Sequence, residues 1–168
     1  MAFSMYQASV PVFNQMLLNL SSILKKAADF AESRKIDPTV LVKSRLFPDM
    51  LPLVTQVQIA CDTAKGCTAR LAGIDPPVMS DDQTNFEELV NRIEQTMSFL
   101  NSHQKEQIEG TENKTINYTL HKNDYSYKGS QYLLHKALPN FFFHITTAYA
   151  ILRHNGLEIG KSDYIGTI

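Results

Sequence analysis

Apolar residues recur at steps of three and four along several long stretches of the chain, the spacing of a helix with one buried face. Phe13, Met16, Leu17, Leu20, Ile23, Leu24 and Ala27 predict a first helix over Val10–Ser33. Pro11 suits its first turn, where the missing N–H would have had no partner. Residues 37–40 restart structure as a short helical turn, and residues 46–50 read as a packed connector. A second helix begins near 50–53 and ends at Ala72, stopped by Gly73 and Pro76-Pro77. Its apolar face is Val57, Ala60, Cys61, Ala64, Cys67 and Leu71, small side chains that let another helix approach closely. A third helix over residues 85–102 carries Phe86, Leu89, Val90, Ile93, Met97 and Leu100, and Thr84 with Glu87 matches a capping box at its start.

From residue 104 to 136 the period falls to two. Ile116, Tyr118 and Leu120 alternate with Asn117 and Thr119, and Tyr125 and Tyr127 flank Ser126, which predicts short strands in a small hairpin. The last helix is expected to follow Pro139, with Asn140 near its start, and to end at His154, where Asn155-Gly156 is a C-terminal cap closed by Leu157. Phe141, Phe142, Ile145, Ala148, Tyr149 and Leu152 cover most of its circumference, so it should be the most buried helix. The tail over residues 160–166 is expected to fold back across the bundle. The pattern as a whole predicts an all-α protein: an antiparallel four-helix bundle with a hairpin-like insertion between its third and fourth helices, one domain over residues 1–168.

Composition narrows the functions open to such a bundle. Sixteen Lys plus Arg against 17 Asp plus Glu give a formal net charge of −1, and no block of like charge stands out, so nucleic acid is not an expected partner. The strongest apolar run, residues 141–152, is broken by His144, Thr146 and Thr147 and falls short of the roughly 20 residues of a membrane span. Residues 1–6 lack the basic segment followed by an apolar stretch that marks a secretory signal, which gives an expectation of a cytoplasmic protein. The glycosylation-like tripeptides at Asn19, Asn113 and Asn117 then read as chance matches. Cys61 and Cys67, six apart on one helix, suit neither a local disulfide nor a redox pair and read as packing thiols. The chain has no Gly-rich phosphate loop, no Gly-x-Ser-x-Gly turn and no His-Glu-x-x-His helix, so no reaction class follows from motifs.

Several strings carry a family resemblance: Leu51-Pro52-Leu53-Val54-Thr55-Gln56-Val57-Gln58-Ile59-Ala60-Cys61-Asp62-Thr63-Ala64-Lys65-Gly66, then Ala69-Arg70-Leu71-Ala72-Gly73, and Leu138-Pro139-Asn140-Phe141-Phe142-Phe143-His144. Thr147-Ala148-Tyr149-Ala150-Ile151-Leu152-Arg153-His154-Asn155-Gly156 and Gly160-Lys161-Ser162-Asp163-Tyr164-Ile165-Gly166 continue it. The whole chain resembles the family known as domain of unknown function 1993, similar in architecture to the DinB and YfiT-like metalloenzymes. The resemblance implies a four-helix bundle, often a homodimer, in which a histidine of the second helix and a His-x-x-x-His pair on the last helix hold a divalent ion. His144 matches the first position of that pair, but Ala148 stands at the second, and the second helix offers Gln56, Gln58 and Asp62 where a histidine is implied. The expectation is that neither the metal nor any other cofactor is carried over.

Spacing leads to the same expectation. His144 and His154 are separated by about 15 Å along one helix and roughly 80° around it, too far to chelate one ion. His103, His121 and His135 surround the insertion in no known ligand pattern. His144 is the best single candidate: an acid-base or ligand-contacting group at the floor of a cavity, or a core-edge histidine bonded to a tyrosine or backbone carbonyl. Gln58, Asp62 and Lys65, spaced by four and three, share one side of the second helix as a ligand-binding set or as a plain surface pair. Arg70 further along is a candidate anion contact, and Tyr118, Tyr125, Tyr127 and Tyr132 either line a pocket or cover the bundle end. The readings these residues leave open are a small-molecule-binding bundle, a diverged DinB-like enzyme acting on a small metabolite, and a structural homodimer.

Overall fold

The computed structural model describes residues 4–120 and 122–166. Its four long helices are α1 (Val10–Ser33), α3 (Leu53–Ala72), α4 (Phe86–Asn101) and α6 (Leu138–His154), with a short α2 (Pro38–Val42) between the first two. They pack as a ring in which α1 meets α4, α4 meets α3, α3 meets α6 and α6 returns to α1. The faces set by the apolar spacing point inward: Phe13, Leu17, Leu20, Leu24, Val57, Cys61, Leu71, Leu89, Ile93, Leu100, Phe141 and Ala148 are all fully buried. Phe13 and Phe141 meet edge to face at the centre, ring centroids 4.9 Å apart. Burial of each such side chain contributes roughly 1.5–3 kcal/mol.

The caps follow local chemistry. Asp37 Oδ1 accepts from the Thr39 N–H to start α2. Gly73 ends α3 in the left-handed region, at φ 82°, with its N–H donating to the Ala69 and Arg70 carbonyls. At the start of α4 the expected box of Thr84 and Glu87 is replaced by a cap one residue later: Asn85 Oδ1 accepts from the Glu88 N–H, and the Glu88 carboxylate reaches past the cap to accept from the Thr84 N–H and hydroxyl. This frame places Phe86 at the first helical position, where it is buried. The connector over residues 46–50 also differs from its expected packing. Leu46 and Phe47 face solvent, and the segment is shaped by a turn in which the Met50 N–H donates to the Phe47 carbonyl.

The insertion is an antiparallel hairpin of β1 (Thr115–Leu120) and β2 (Asn123–Lys128), with Ile116 opposite Tyr127 and Tyr118 opposite Tyr125. His121 lies outside the described residues. The helix after the hairpin begins ten residues earlier than Pro139: α5 (Gly129–Tyr132) runs through a π-helical turn over Leu133–Ala137 directly into α6. A proline inside an α-helix lacks the N–H and collides with the carbonyl four residues back, here His135. The wider turn absorbs the conflict, with the Leu138 N–H donating five residues back to the Leu133 carbonyl. Proline, a stop signal in sequence, is here a passenger of a continuous helix.

The tail docks as expected. Its helix α7 (Lys161–Ile165) lies on α1, where Asn19 Nδ2 donates to the Tyr164 and Ile165 carbonyls and Lys26 pairs with Asp163 at 2.5 Å. Tyr164 shares a hydrogen bond with Thr146 on α6, tying the tail to a second helix. No helix of the described residues is long and apolar enough to cross a membrane.

Candidate functional site

The packing of α3 against the π turn and α6 leaves an open cleft of about 520 Å³, roofed by the hairpin. From α3 come Ile59, Asp62, Thr63 and Arg70, from the π turn and α6 Lys136, Ala137, Asn140 and His144, and from the hairpin Tyr118 and Leu120. Tyr132 and Leu51 complete its lining. On the last helix Lys136, Asn140 and His144 recur every four residues, so the early helix start and its π turn are what present Lys136 beside the other two.

His144 is 7% exposed and has one hydrogen-bond partner among the described residues, Gln56, whose Oε1 lies 2.7 Å from Nδ1. The orientation of the Gln56 amide is set from its other end, where Nε2 donates to the Leu51 carbonyl at 2.9 Å. Turning the amide over would set two oxygens against each other there, so Oε1 faces the histidine and Nδ1 must carry the proton. Nε2 is then the unprotonated nitrogen, with no partner among the described residues. Burial lowers the pKa of His144 from its ordinary value, which favours this neutral form. The partner is therefore a glutamine of α3, rather than the tyrosine or backbone carbonyl considered for a core-edge histidine.

The three α3 candidates part company. Asp62 lines the cleft, but its carboxylate is held from the side by Lys65 Nζ at 2.9 Å and Arg92 NH2 at 3.0 Å. Lys65, 6% exposed, is buried behind it, and neither Lys65 nor Gln58 lines the cleft. Gln58 Nε2 donates to Gln83 Oε1, which also accepts from Arg92, so Gln58 belongs to a network fastening the segment before α4 onto α3.

Arg70 sits where the cleft meets the hairpin. Its guanidinium carbon lies 4.7 Å from the Tyr118 ring centroid and its NH1 donates to the Tyr132 hydroxyl at 3.0 Å. Gly66, one turn earlier, makes the placement possible: a Cβ there would come within 2.5 Å of Arg70 NH1. The tyrosines stack, Tyr118 on Tyr125 at 5.3 Å, and Lys136 Nζ lies over Tyr125 at 5.7 Å. Burial pushes the Tyr132 phenol above its ordinary pKa, so it stays protonated. Asn140 Nδ2 donates to Thr63 Oγ1 at 2.8 Å, joining the two helices across the cleft floor.

A second groove of about 530 Å³ lies on the far side of Arg70, between the end of α3 and the hairpin. Its ammonium group, Lys114 Nζ, is spent on the Leu71 carbonyl as a cap for α3, and no histidine lines it among the described residues. Cys61 and Cys67 are fully buried; burial raises the Cys61 thiol to about 11 and pushes Cys67 higher still, away from nucleophile chemistry. His103 bonds the Phe99 carbonyl through Nδ1, while His135 and His154 are exposed at separate places.

The residues do not fit the DinB-type metal set. Ala148 has no donor and is fully buried, the α3 residue facing His144 is a carboxamide, and that amide takes the Nδ1 proton. A catalytic zinc needs three protein donors. Among the described residues no three His, Cys, Asp or Glu side chains are gathered where they could hold an ion.

Of the tyrosines expected to line a pocket or cover the bundle end, Tyr118 and Tyr132 line the cleft. Lys136 is not legible as a cleft residue when the last helix is taken to follow Pro139; a helix begun at Gly129 puts it on the four-residue spacing of Asn140 and His144. No sequence signal pairs Gln56 with His144, since 88 residues separate them.

No curated protein matches the chain. A solved structure, described as a DinB family member protein from Shewanella denitrificans, is similar to it with a TM-score of 0.88 and 41% sequence identity, over 97% of this chain and 92% of that one. The match to the family described as domain of unknown function (DUF1993) covers residues 5–165. By the family match over most of its length and the likeness to that structure, the chain belongs to the DUF1993 family of the DinB/YfiT-like superfamily.

Proposed function

We propose that this protein binds a small molecule in the cleft between α3 and α6, with the ligand seated against His144. The observation that carries the reading is the state of that histidine. Gln56 fixes its tautomer through a partner that is itself fixed, and Nε2, a free acceptor, belongs to a residue lining the cleft. The apolar walls Ile59, Leu120 and Ala137 and the polar groups of Asn140, Thr63 and Tyr132 make the mixed lining that small-molecule sites use. A fragment screen followed by two-dimensional NMR of the full chain tests it. Bound fragments should shift the resonances of His144, Asn140 and Asp62 together, and fragments that gather only elsewhere on the bundle overturn the reading.

The tautomer supports a second, enzymatic reading. A histidine kept neutral by burial, with its lone pair on the nitrogen left free, is arranged as a general base. Its ligand would then be a substrate with a proton to give, a hydroxyl, thiol or amine, placed at Nε2. Replacing His144 by Gln separates the two readings: a binding protein keeps the ligand with changed affinity, whereas an enzyme keeps the ligand and loses turnover.

A further inference from the structure

Charge in the cleft is unevenly settled. Its one carboxylate, Asp62, has two cationic partners, Lys65 and Arg92, and both are almost wholly buried. Its two cations, Arg70 and Lys136, form no ion pair among the described residues. Arg70 is held by a ring face, a phenol oxygen and the space over Gly66; Lys136 is held by a ring face alone. The Tyr132 hydroxyl accepts from Arg70 and keeps its own proton for a further acceptor. One end of the cleft therefore presents guanidinium, ammonium and phenol donors and no carboxylate to receive them.

At the other end the character reverses, since His144 Nε2 offers an acceptor. Lys136 and His144 are eight residues apart, about 12 Å along the helix. Between them the walls are largely apolar, with Ile59, Ala137 and Leu120 facing the amides and hydroxyls of Asn140 and Thr63. A compact inorganic anion would leave those walls unused, and a neutral apolar molecule would leave two cations unpaired beside it.

From this arrangement we infer that the cleft selects an organic anion: a carboxylate on an apolar body roughly 10 Å long, its charged group between Arg70, Lys136 and Tyr132, its far end toward His144. The inference rests on the ligand-binding reading above and adds the ligand class and the anchoring residues. Arg70 is the principal anchor, because its guanidinium is already ordered and loses little freedom on binding. Gly66 is its positioning residue.

Calorimetric and NMR titration of the full chain with octanoate and 4-phenylbutyrate, each against its primary amide and against inorganic phosphate, tests the inference. The carboxylates should bind at least tenfold more tightly than the amides or phosphate. Lys136→Glu and Arg70→Gln should each weaken carboxylate binding tenfold or more and narrow the preference for acid over amide. Gly66→Ala should weaken it while the chain remains at least as stable, which separates displacement of the guanidinium from loss of fold. Equal binding of acid and amide, or of phosphate and carboxylate, overturns the organic-anion inference while shifts at His144 keep the binding reading. Arg70-dependent carboxylate binding with an unmoved His144 does the reverse, and failure of every probe to bind the cleft overturns both.

Discussion

Two arginines with opposite surroundings divide this molecule. Arg92 on α4 is 2% exposed, and both of its terminal nitrogens are engaged, NH1 donating to the Ser80 carbonyl and Gln83 and NH2 pairing with Asp62 and Asp81. Arg70 on α3 is half-buried, rests on a tyrosine ring and has no carboxylate partner. The difference separates structure from function: a cation whose charge is compensated by carboxylates of its own chain holds the chain together, and one held in place but left uncompensated is available to a ligand. Asp62 is the hinge of the contrast. It looks like a site residue from the cleft, yet its charge is already spent on the structural side.

The largest effect expected from this comparison is on Arg92. Arg92→Met should destabilise the fold by about 2–4 kcal/mol in chemical denaturation, because Asp62, Asp81 and the residue 80–83 segment lose their common partner. Arg70→Met should cost below about 1 kcal/mol in the same assay, since it removes one hydrogen bond and a ring contact; equal losses would erase the distinction. Next comes the pair that fixes His144. Gln56→Leu strips both the Nδ1 proton and the Leu51 carbonyl of their partner and should cost about 1–3 kcal/mol. Gln56→Glu should instead raise the His144 titration followed by NMR, through a carboxylate placed at Nδ1.

A smaller effect lies in pH. Because the folded pKa of His144 is lowered, the unfolded chain takes up its proton first as pH falls below the ordinary histidine value of about 6.5. Stability from this group is complete above that value and declines as pH drops toward the folded pKa. Denaturation midpoints should therefore fall across this window, and the fall should flatten in His144→Gln. The smallest change is expected at the tail, where Lys26→Ala removes an exposed pair with Asp163 and should shift stability by below about 1 kcal/mol. A large loss there would mean that the docked tail depends on charge rather than on Asn19, whose amide donates to two of its carbonyls.

What was legible in the sequence was whatever depends on neighbours along one helix or strand. Phe13 to Ala27, Val57 to Leu71 and Phe86 to Leu100 marked the bundle faces because burial imposes a period, and Ile116, Tyr118, Tyr125 and Tyr127 marked the hairpin by their alternation. Pro139 misled because its local rule forbids the interior of an α-helix, whereas the chain uses a π turn to carry a helix past it. That one rule hid the Lys136 end of the cleft. Asp62 and Lys65 could be paired from their spacing alone, but not the burial of Lys65 or the arrival of Arg92 from another helix.

The sequence by itself determined the four amphipathic helices, the hairpin, the Gly73 stop of α3 and the absence of a second histidine one turn beyond His144, since each is a matter of residue type and short-range spacing. Only the tertiary structure decided which charges cancel, which nitrogen of His144 is free and where the cleft opens. Those depend on groups 30 to 88 residues apart being brought within hydrogen-bond distance, as with Asp62 and Arg92 or Gln56 and His144, and no local period encodes such a meeting.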